Sequence, residues 1–439
     1  MNVMNLHASP ARTKAESALI DAFEARFTEM PGDGAVVVKR DNAIEQLKLG
    51  LPTRHIEAWH YTDLRRLLTL VPDFDSTLDA RAVAPIVEGS TVLSLLNGVS
   101  STDLPAVPGI TLERVADKLT DGSYAEALEP QGTDDTIGAL NAAFAADGYF
   151  IDVAAGTQMD TPLEVQNVQA GGQVHVRVPV RVGDGARALI VEHHTGTEAA
   201  LVSSVGNLVV GDGADVLYLI VQDQPDGATH LGQFNAWIGR NAKLTLFVMN
   251  AGAKLVRQEI RVAAKGEGAD FQLRGINLLS GDTHTDVTMV LDHAVPNTGS
   301  RELVRNIVTG RARGVFQGRI NVHQIAQKTD AKMACNTLLL SDDGEFSSKP
   351  ELEIFADDVA CGHGATVTEI DHNHLFYLMA RGVDEKTARG LLVKAFLAEV
   401  IEELENEPVV DALEARLEEW FPDTQFRRHD TKVANLSDF

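Results

Sequence analysis

The chain has 439 residues, and its 38 Lys+Arg against 63 Asp+Glu give a formal net charge of −25. This acidity weighs against nucleic acid or an anionic membrane as the main partner, because both require basic side chains. Hydrophobic residues make up 44% and charged residues 23%, which is typical of a globular chain. The length predicts about two to four domains.

Three further features of the sequence predict a cytoplasmic protein. No uncharged apolar run approaches the roughly 20 residues needed to span a bilayer. The segment from Met1 to Pro10 lacks the basic and apolar regions of a signal peptide. Cys335 and Cys361 are the only two cysteines, which fits a reducing cytosol better than a disulfide framework.

The first of three predicted parts, residues 1–147, is mainly helical. Apolar residues at helical spacing predict a helix from Lys14 to Phe27. A second helix is predicted from Asp135 to Ala146, with Asp134 or Asp135 as its N-cap.

The second part, residues 148–380, consists of strand-like segments separated by polar turns. A turn of the form Gly-x-x-Ala recurs four times, and a strand-like segment follows each copy. The copies begin at Gly183, Gly211, Gly239 and Gly266, spaced 28, 28 and 27 residues apart. We expect the glycine to supply a positive φ and the small alanine to fit a crowded layer.

The fixed period without intervening helices favours a parallel β-helix, a solenoid of stacked β-coils. The alternative is a large antiparallel sandwich, whose turns usually recur at about 8–12 residues. The period is lost after Gly266, so the later coils are predicted to be either longer or interrupted.

The third part, residues 381–439, is predicted to be helical. Asp384 can cap a helix whose apolar face consists of Leu392, Phe396, Val400 and Leu404. Pro408 is predicted to end this helix, and a second one is predicted from Val410 to Trp420. The stretch from residue 399 to the end holds 12 acidic and 4 basic side chains. It is either a solvated face or a docking surface for a basic partner.

The sequence lacks the common motifs of nucleotide-binding proteins and hydrolytic enzymes. It contains no P-loop, no Gly-x-Gly-x-x-Gly fingerprint, no Gly-x-Ser-x-Gly elbow, no His-Glu-x-x-His and no paired Cys-x-x-Cys. We therefore expect a non-enzymatic chain that binds no nucleotide itself.

One motif, Cys361-Gly-His363-Gly, has the chemistry of a metal site. Residues two apart in a strand point to the same face, so Cys361 and His363 are predicted to project together, with glycines leaving room around them. Thiolate and imidazole suit iron, zinc or copper, and His can replace Cys on an iron–sulfur centre. Two ligands make half a site, so a second chain or a substrate must complete it. The alternative is a buried structural Cys beside a hydrogen-bonded His.

Weaker metal candidates are His193-His194 and the cluster from Asp371 to His374, for which ordinary polar turns are the favoured explanation. Cys335 stands at the head of an apolar strand and is predicted to serve packing.

Several longer segments resemble the SufB/SufD family of iron–sulfur cluster assembly proteins. They occur in the family's order over most of the chain: Gly50-Leu-Pro-Thr-Arg-His-Ile-Glu-Ala-Trp-His-Tyr-Thr-Asp-Leu64, Ala326-Gln-Lys-Thr-Asp-Ala-Lys332, Lys349-Pro-Glu-Leu-Glu-Ile-Phe-Ala-Asp-Asp-Val359, Cys361-Gly-His-Gly-Ala-Thr-Val367 and Leu375-Phe-Tyr-Leu-Met-Ala-Arg-Gly-Val383. The chain is most similar to the SufD branch. Gly364 stands where SufB has a glutamate, and Gly344 stands near the place of SufB's essential cysteine.

The resemblance implies a right-handed parallel β-helix between helical ends. It also implies pairing with a SufB-like paralogue through the terminal coils, with His363, and Cys361 as a secondary candidate, ligating iron or a nascent iron–sulfur cluster shared between the subunits. The isolated chain is a candidate homodimer.

A SufC-like ATPase is expected to dock on the C-terminal helices, and we predict that Phe396, Glu399, Glu402 and Glu403 contribute to this contact. The alternative functions are a carbohydrate-active β-helix protein, which would need a carboxylate or basic cluster along one face, and a purely structural scaffold without a metal role.

Overall fold

The computed structural model describes residues 11–423, of which strands form the larger share, with 40% strand against 23% helix. Residues 1–10, on which the signal-peptide prediction rests, and residues 424–439, the end of the acidic stretch, lie outside this range. None of the helices between residues 11 and 423 is both long and apolar enough to cross a membrane.

Helices occur mainly before and after the strands. Their bounds are α1 Lys14–Arg26, α2 Gly34–Lys48, α3 Leu64–Leu67, α4 Val115–Thr120, α5 Thr136–Phe144, α6 His372–Met379, α7 Glu385–Glu402 and α8 Glu407–Asp423. The predicted first helix is confirmed, and a capping box between Thr13 and Glu16 fixes its start. Asp135 caps α5, whose end lies at Phe144 because the next strand begins at Asp147.

Nineteen strands lie within the described residues. Their bounds are β1 Thr91–Leu96, β2 Val99–Ser100, β3 Ile110–Arg114, β4 Asp147–Val153, β5 Leu163–Gln169, β6 Gly172–Val182, β7 Arg187–Gly196, β8 Ala200–Val210, β9 Asp215–Gln222, β10 Thr229–Ile238, β11 Lys243–Asn250, β12 Leu255–Ala264, β13 Asp270–Leu279, β14 His284–His293, β15 Gly299–Val308, β16 Arg313–Val322, β17 Asp330–Leu339, β18 Glu345–Ile354 and β19 Ala360–Thr368.

From β4 onward, consecutive strands alternate between two sheets, and from β6 onward each pairs in parallel with the strand two places earlier. One sheet runs from β19 through the odd-numbered strands to β5, β1 and β2, and the other from β18 through the even-numbered strands to β4 and β3. Each coil therefore adds one strand to each sheet. The predicted parallel β-solenoid is confirmed, and the antiparallel sandwich is wrong.

The four Gly-x-x-Ala turns form one corner of successive coils, but the first glycine has a different role from the predicted one. A Cβ at Gly183 would lie 2.5 Å from the backbone nitrogen of Ala155 in the preceding coil, and one at Gly266 would lie 2.0 Å from that of Arg240. Close stacking of the coils therefore requires the first glycine. The positive φ belongs to the third residue of the turn, such as Gly185 or Asn241.

The later coils are longer and uninterrupted. Asp270 pairs with Gly299, and Gly299 pairs with Asp330, which are separations of 29 and 31 residues. The corner between Val322 and Asp330 takes up the additional length.

The space between the two sheets is mainly apolar, and a polar ladder runs through it. Asn250 donates through its amide to the side-chain oxygen of Asn277 at 2.8 Å, and Asn277 donates to Asn306 at 2.7 Å. Asn306 in turn donates to the hydroxyl of Thr337 at 3.0 Å. Because these positions are in register from coil to coil, the ladder lets amide groups be buried with partners.

Helices cover the outer faces of both sheets. Helices of the N-terminal part pack on even-numbered strands, where Leu201, Leu231 and Leu255 join their core. Helices α6–α8 pack on odd-numbered strands around Phe247 and Ile276. Strands β1 and β3 already belong to the two sheets, and the C-terminal helices begin at His372. The predicted boundaries at 147/148 and 380/381 remain predictions.

The buried face of α7 differs from the predicted one, because Val393 and Leu397 are buried whereas Leu392 and Phe396 are only half-buried.

The end of α7 and the start of α8 also differ from the prediction. Asp384 caps α7 as predicted, accepting from the backbone nitrogen of Thr387 at 3.1 Å. Pro408 does not end this helix, which ends at Glu402, but lies in the first turn of α8. Proline is tolerated there because the first-turn N–H groups have no partner within the helix.

Replacing Gly266 by Ala is expected to lower the free energy of unfolding by about 1–3 kcal/mol, because the new methyl group overlaps the preceding coil. Gly390 is the matched control: it lies inside α7 with no atom within 4 Å of a built Cβ, so Gly390→Ala should stabilise by about 0.5–1 kcal/mol. Denaturant unfolding of both variants measures the two signs. A Gly266→Ala protein as stable as the parent would contradict close coil stacking as the reason for this glycine.

A buried carboxyl group gives a second test of the interior. Glu302 on β15 lies between the sheets, neither of its oxygens has a hydrogen-bond partner among residues 11–423, and burial raises its pKa to about 8. The folded state therefore holds a proton that the unfolded state releases above its ordinary pKa near 4.5, so this group's contribution to stability falls as pH rises from about 5 to about 8. Glu302→Gln removes the titrating carboxyl group and with it the fall in stability as pH rises. Its stability relative to the parent should rise by about 2–5 kcal/mol over this window, as measured by unfolding at several pH values, and a pH-independent difference would contradict the raised pKa.

Candidate functional site

Strand β19 is the last strand of its sheet and pairs along one edge with β17. Among the described residues no strand covers its other edge. The other strand of this final turn, β18, is likewise the last of its sheet and is only partly buried. The solenoid is therefore open at this end.

The register places Cys361 and His363 on the inner face of β19. Cys361 pairs with Ala331 and His363 pairs with Met333, and both partners belong to the core between the sheets. Cys361 is half-buried against that core, whereas the side chain of His363 is exposed at the opening. No atom lies within 4 Å of a Cβ built at Gly362, but this open space is on the opposite face of the strand from Cys361 and His363. The predicted room that the glycines leave around the pair is therefore wrong.

Electrostatics keep the Cys361 thiol protonated at neutral pH. Burial raises its pKa, and the nearby carboxyl groups of Asp330 and Glu302 add to this effect. A metal that binds this sulfur must displace the proton, because the thiolate is the ligand.

Cys335 lies on the same inner face one strand further in, and it is completely buried. Burial raises its pKa to about 11, and the amide of Asn306 donates to its sulfur at 3.4 Å. These contacts fit the predicted packing role.

The weaker candidates have partners within the protein, but the predicted polar turn is wrong for His193 and His194, which are buried inside strand β7. His193 Nε2 lies 3.1 Å from Asp223, and His194 Nε2 lies 3.2 Å from Glu192. Asp371 caps α6 by accepting from the backbone nitrogen of Asn373 at 2.7 Å. Within residues 11–423 no three His, Cys, Asp or Glu side chains are grouped so that they could hold a metal ion. The metal role of Cys361 and His363 therefore stays a prediction, and two donors alone would not complete a site.

Three of the four residues predicted to contact an ATPase also contact the solenoid. Glu399 pairs with Arg305 on β15, and the guanidinium of Arg305 lies 4.8 Å from the ring centre of Phe396. Glu403 lies 2.7 Å from Arg274 on β13. Glu402 is exposed. Their role toward an ATPase stays a prediction.

An apolar surface on α6 and α7 was missed in the sequence. It consists of Phe376, Tyr377, Met379 and Leu391, whose exposed fractions are 72%, 55%, 42% and 48%. The signal was present: Leu375 to Met379 are five consecutive apolar residues, and a single helix cannot bury all of them on one face. Only Leu375 of this run is buried.

The N-terminal motif around Trp59 packs against the solenoid. Trp59 is buried, and its ring centre lies 4.5 Å from the guanidinium carbon of Arg257. The same guanidinium donates to the carbonyl of Ala58 at 2.8 Å. Glu57 pairs with Lys349 of the final turn at 3.0 Å. The motif therefore connects the N-terminal part with the strands next to the open end.

Comparisons with known proteins agree with this architecture. The family model for the SUF system FeS cluster assembly SufBD core domain matches residues 165–396. The iron-sulfur cluster assembly protein SufD of Escherichia coli is 28% identical over 391 residues, covering 86% of this chain and 90% of that protein. A SufBD family protein of Synechocystis is 26% identical over 436 residues, covering 90% and 93%.

SufB of Bacillus subtilis is 28% identical over 294 residues, covering 66% of this chain and 63% of that protein. The relatives thus include both branches, SufB and SufD. The matched core domain spans the solenoid from β5 to the last strand and continues into α7. The chain belongs to the SufBD family of the SUF system for iron–sulfur cluster assembly.

Proposed function

We propose that this chain is the SufD-type subunit of a SUF assembly scaffold and that it holds iron and the nascent iron–sulfur cluster at the open end of its solenoid. One observation carries the proposal: Cys361 and His363 lie side by side on the inner face of the last strand, where no further strand from residues 11–423 covers them. Iron and the cluster are the cargo of this site.

A SufB-type paralogue supplies the remaining ligands. The open end presents the unpaired edge of β19 and a half-buried final turn, which a second solenoid can cover. Gly364 and Gly344 leave this chain without the carboxylate and thiol expected at those places in SufB, so the partner must provide both. An isolated chain can cover the same end with a second copy, because a twofold contact uses one surface twice.

The two donors differ in a way that suits transient binding. A neutral imidazole gives a metal less charge than a thiolate, so a cluster held partly by His363 is released more readily than one held by cysteines alone. Cys361 binds only after losing its proton.

The ATPase of the system docks on the C-terminal helices. The exposed apolar residues Phe376, Tyr377, Met379 and Leu391 are typical of a protein interface, and Glu402 adds an exposed negative charge at the end of α7. Glu399, Glu403 and Phe396 support the same contact by fixing α7 on the solenoid. ATP hydrolysis then occurs in the partner, and this chain is a non-enzymatic subunit.

The family match favours assembly over a carbohydrate-active protein. A scaffold without a metal role is the remaining alternative, and the next experiment separates the two.

His363→Ala in the complex with the paralogue and the ATPase is expected to lower bound iron and acid-labile sulfide at least about tenfold, because half of this chain's ligand pair is lost. Complex formation should persist, since the His363 side chain is exposed. Iron and sulfide analysis of the purified complex is the measurement. His55→Ala, which removes an exposed histidine of the N-terminal part, is the control. If the His363→Ala complex contains as much iron and sulfide as the wild-type complex, the metal role is wrong and the purely structural scaffold is the remaining function.

Phe376→Asp is expected to reduce ATPase capture at least about tenfold while pairing with the paralogue persists, because a charge replaces the most exposed residue of the apolar surface. Glu402→Gln should weaken capture more than Glu399→Gln or Glu403→Gln, whose side chains already pair with arginines. Pull-down with a tagged ATPase measures both. Leu49→Asp is the control, since Leu49 is an 88% exposed apolar residue on the N-terminal part. If the Phe376→Asp variant binds the ATPase normally, the docking site lies elsewhere on the chain.

A further inference from the structure

Soft donor atoms are concentrated on one small area of the inner wall, next to the open end. Both cysteines of the chain are there, with His363 and one of the eight methionines, Met333. Met333 and Cys335 lie on β17, and Cys361 and His363 lie on β19. The rest of this wall is mainly apolar.

Met333 is the direct neighbour of His363 in the sheet register, and it is almost completely buried. Its side chain extends into space left by Gly318 on the opposite sheet, where an added Cβ would lie 2.6 Å from the Met333 sulfur. Methionine is unbranched and changes rotamer easily, so the sulfur can turn from this space toward the neighbouring strand.

The spacing of the three positions suits one metal ion. Neighbouring strands lie about 4.8 Å apart, and residues two apart along a strand are separated by roughly 6.6 Å. The Cα atoms of the three residues, Cys361, His363 and Met333, therefore form a small triangle, and their side chains leave it on the same face of the sheet. Cys335 stays outside this set, because Asn306 donates to its sulfur.

We propose that the thioether of Met333 is a third donor beside Cys361 and His363, which makes the open end a binding site for a soft monovalent cation, Cu(I). The proposal rests on the proposed function's assignment of Cys361 and His363 as ligands. Thiolate and thioether sulfur select Cu(I), whereas Mg²⁺ and Ca²⁺ require carboxylate and carbonyl oxygens, which these three side chains do not offer. On binding, a copper–sulfur bond forms to Cys361, the thiol proton goes to solvent, and copper remains in the +1 state.

A direct consequence concerns the cargo. Cu(I) held by these three donors occupies both ligands that the subunit offers to iron. Copper should therefore exclude iron from the open end. The thioether should strengthen copper binding more than iron binding, because a neutral thioether is a good ligand for soft Cu(I) and a poor one for Fe(II).

The test uses the full chain under anaerobic conditions, with Cu(I) supplied as its complex with the coloured chelator bathocuproine disulfonate. The parent chain should withdraw one Cu(I) from the chelator. Met333→Leu, which nearly conserves the side-chain volume, should lower the affinity for Cu(I) at least about tenfold. Met249→Leu is the matched control, since Met249 is equally buried but lies in the core under the C-terminal helices. Equal copper affinity of Met333→Leu and the parent would overturn the proposal.

X-ray absorption of the copper-loaded parent chain gives a result that does not depend on any variant folding. Two sulfur donors and one nitrogen donor are expected, and a single sulfur donor would overturn the role of Met333. The outcomes also separate the two proposals. Normal copper binding by Met333→Leu, with iron loading of the complex still dependent on His363, removes this inference alone. Met333-dependent copper binding, with iron loading independent of His363, removes the proposed function instead.

Discussion

Parallel hydrogen bonding between successive coils is the interaction on which the rest of this structure depends. A single coil has two short strands and cannot bury its own apolar face, so each coil is stable only when another lies on it. The corners make this stacking close enough, because the first residue of each Gly-x-x-Ala turn lies directly over the preceding backbone. The interior polar ladder and the helices on both outer faces follow the same one-dimensional order.

Coil stacking has to end somewhere, and the end is where the chemistry is concentrated. At the start of the solenoid, β2 pairs antiparallel with β1, and β3 pairs antiparallel with β4, so that each covers the first strand of one sheet. At the other end β18 and β19 are left open, with Cys361 and His363 on the inner face. An uncovered strand edge normally invites pairing with another chain. Cys361 and His363 and the uncovered strand edge therefore coincide, and under the proposed function this would link cluster assembly to the association of two solenoids.

The sequence predicted features that repeat or that depend on near neighbours. The spacing of Gly183, Gly211 and Gly239 identified the solenoid, and the two-residue spacing of Cys361 and His363 predicted their shared face. The reason for the first glycine was wrong, because its contact is with a residue about 28 positions earlier, which a local turn argument does not include.

Contacts between residues distant in sequence could not be predicted for the same reason. The acidic stretch was recognised from its charge, but the pairing of Glu399 with Arg305 joins residues 94 apart, and only the fold brings them together. Met333 beside His363 is likewise a matter of register, since it follows from the length of the corners between β17 and β19.

The central claim is that a histidine at the open end of this solenoid ligates the nascent cluster. The most direct test is pulsed electron paramagnetic resonance of the reduced, cluster-loaded complex, with ¹⁵N-histidine in this chain only. If His363 ligates the cluster, the spectrum shows a hyperfine coupling to one histidine nitrogen that is absent from the His363→Ala complex. A loaded cluster without such a coupling would contradict this ligand role.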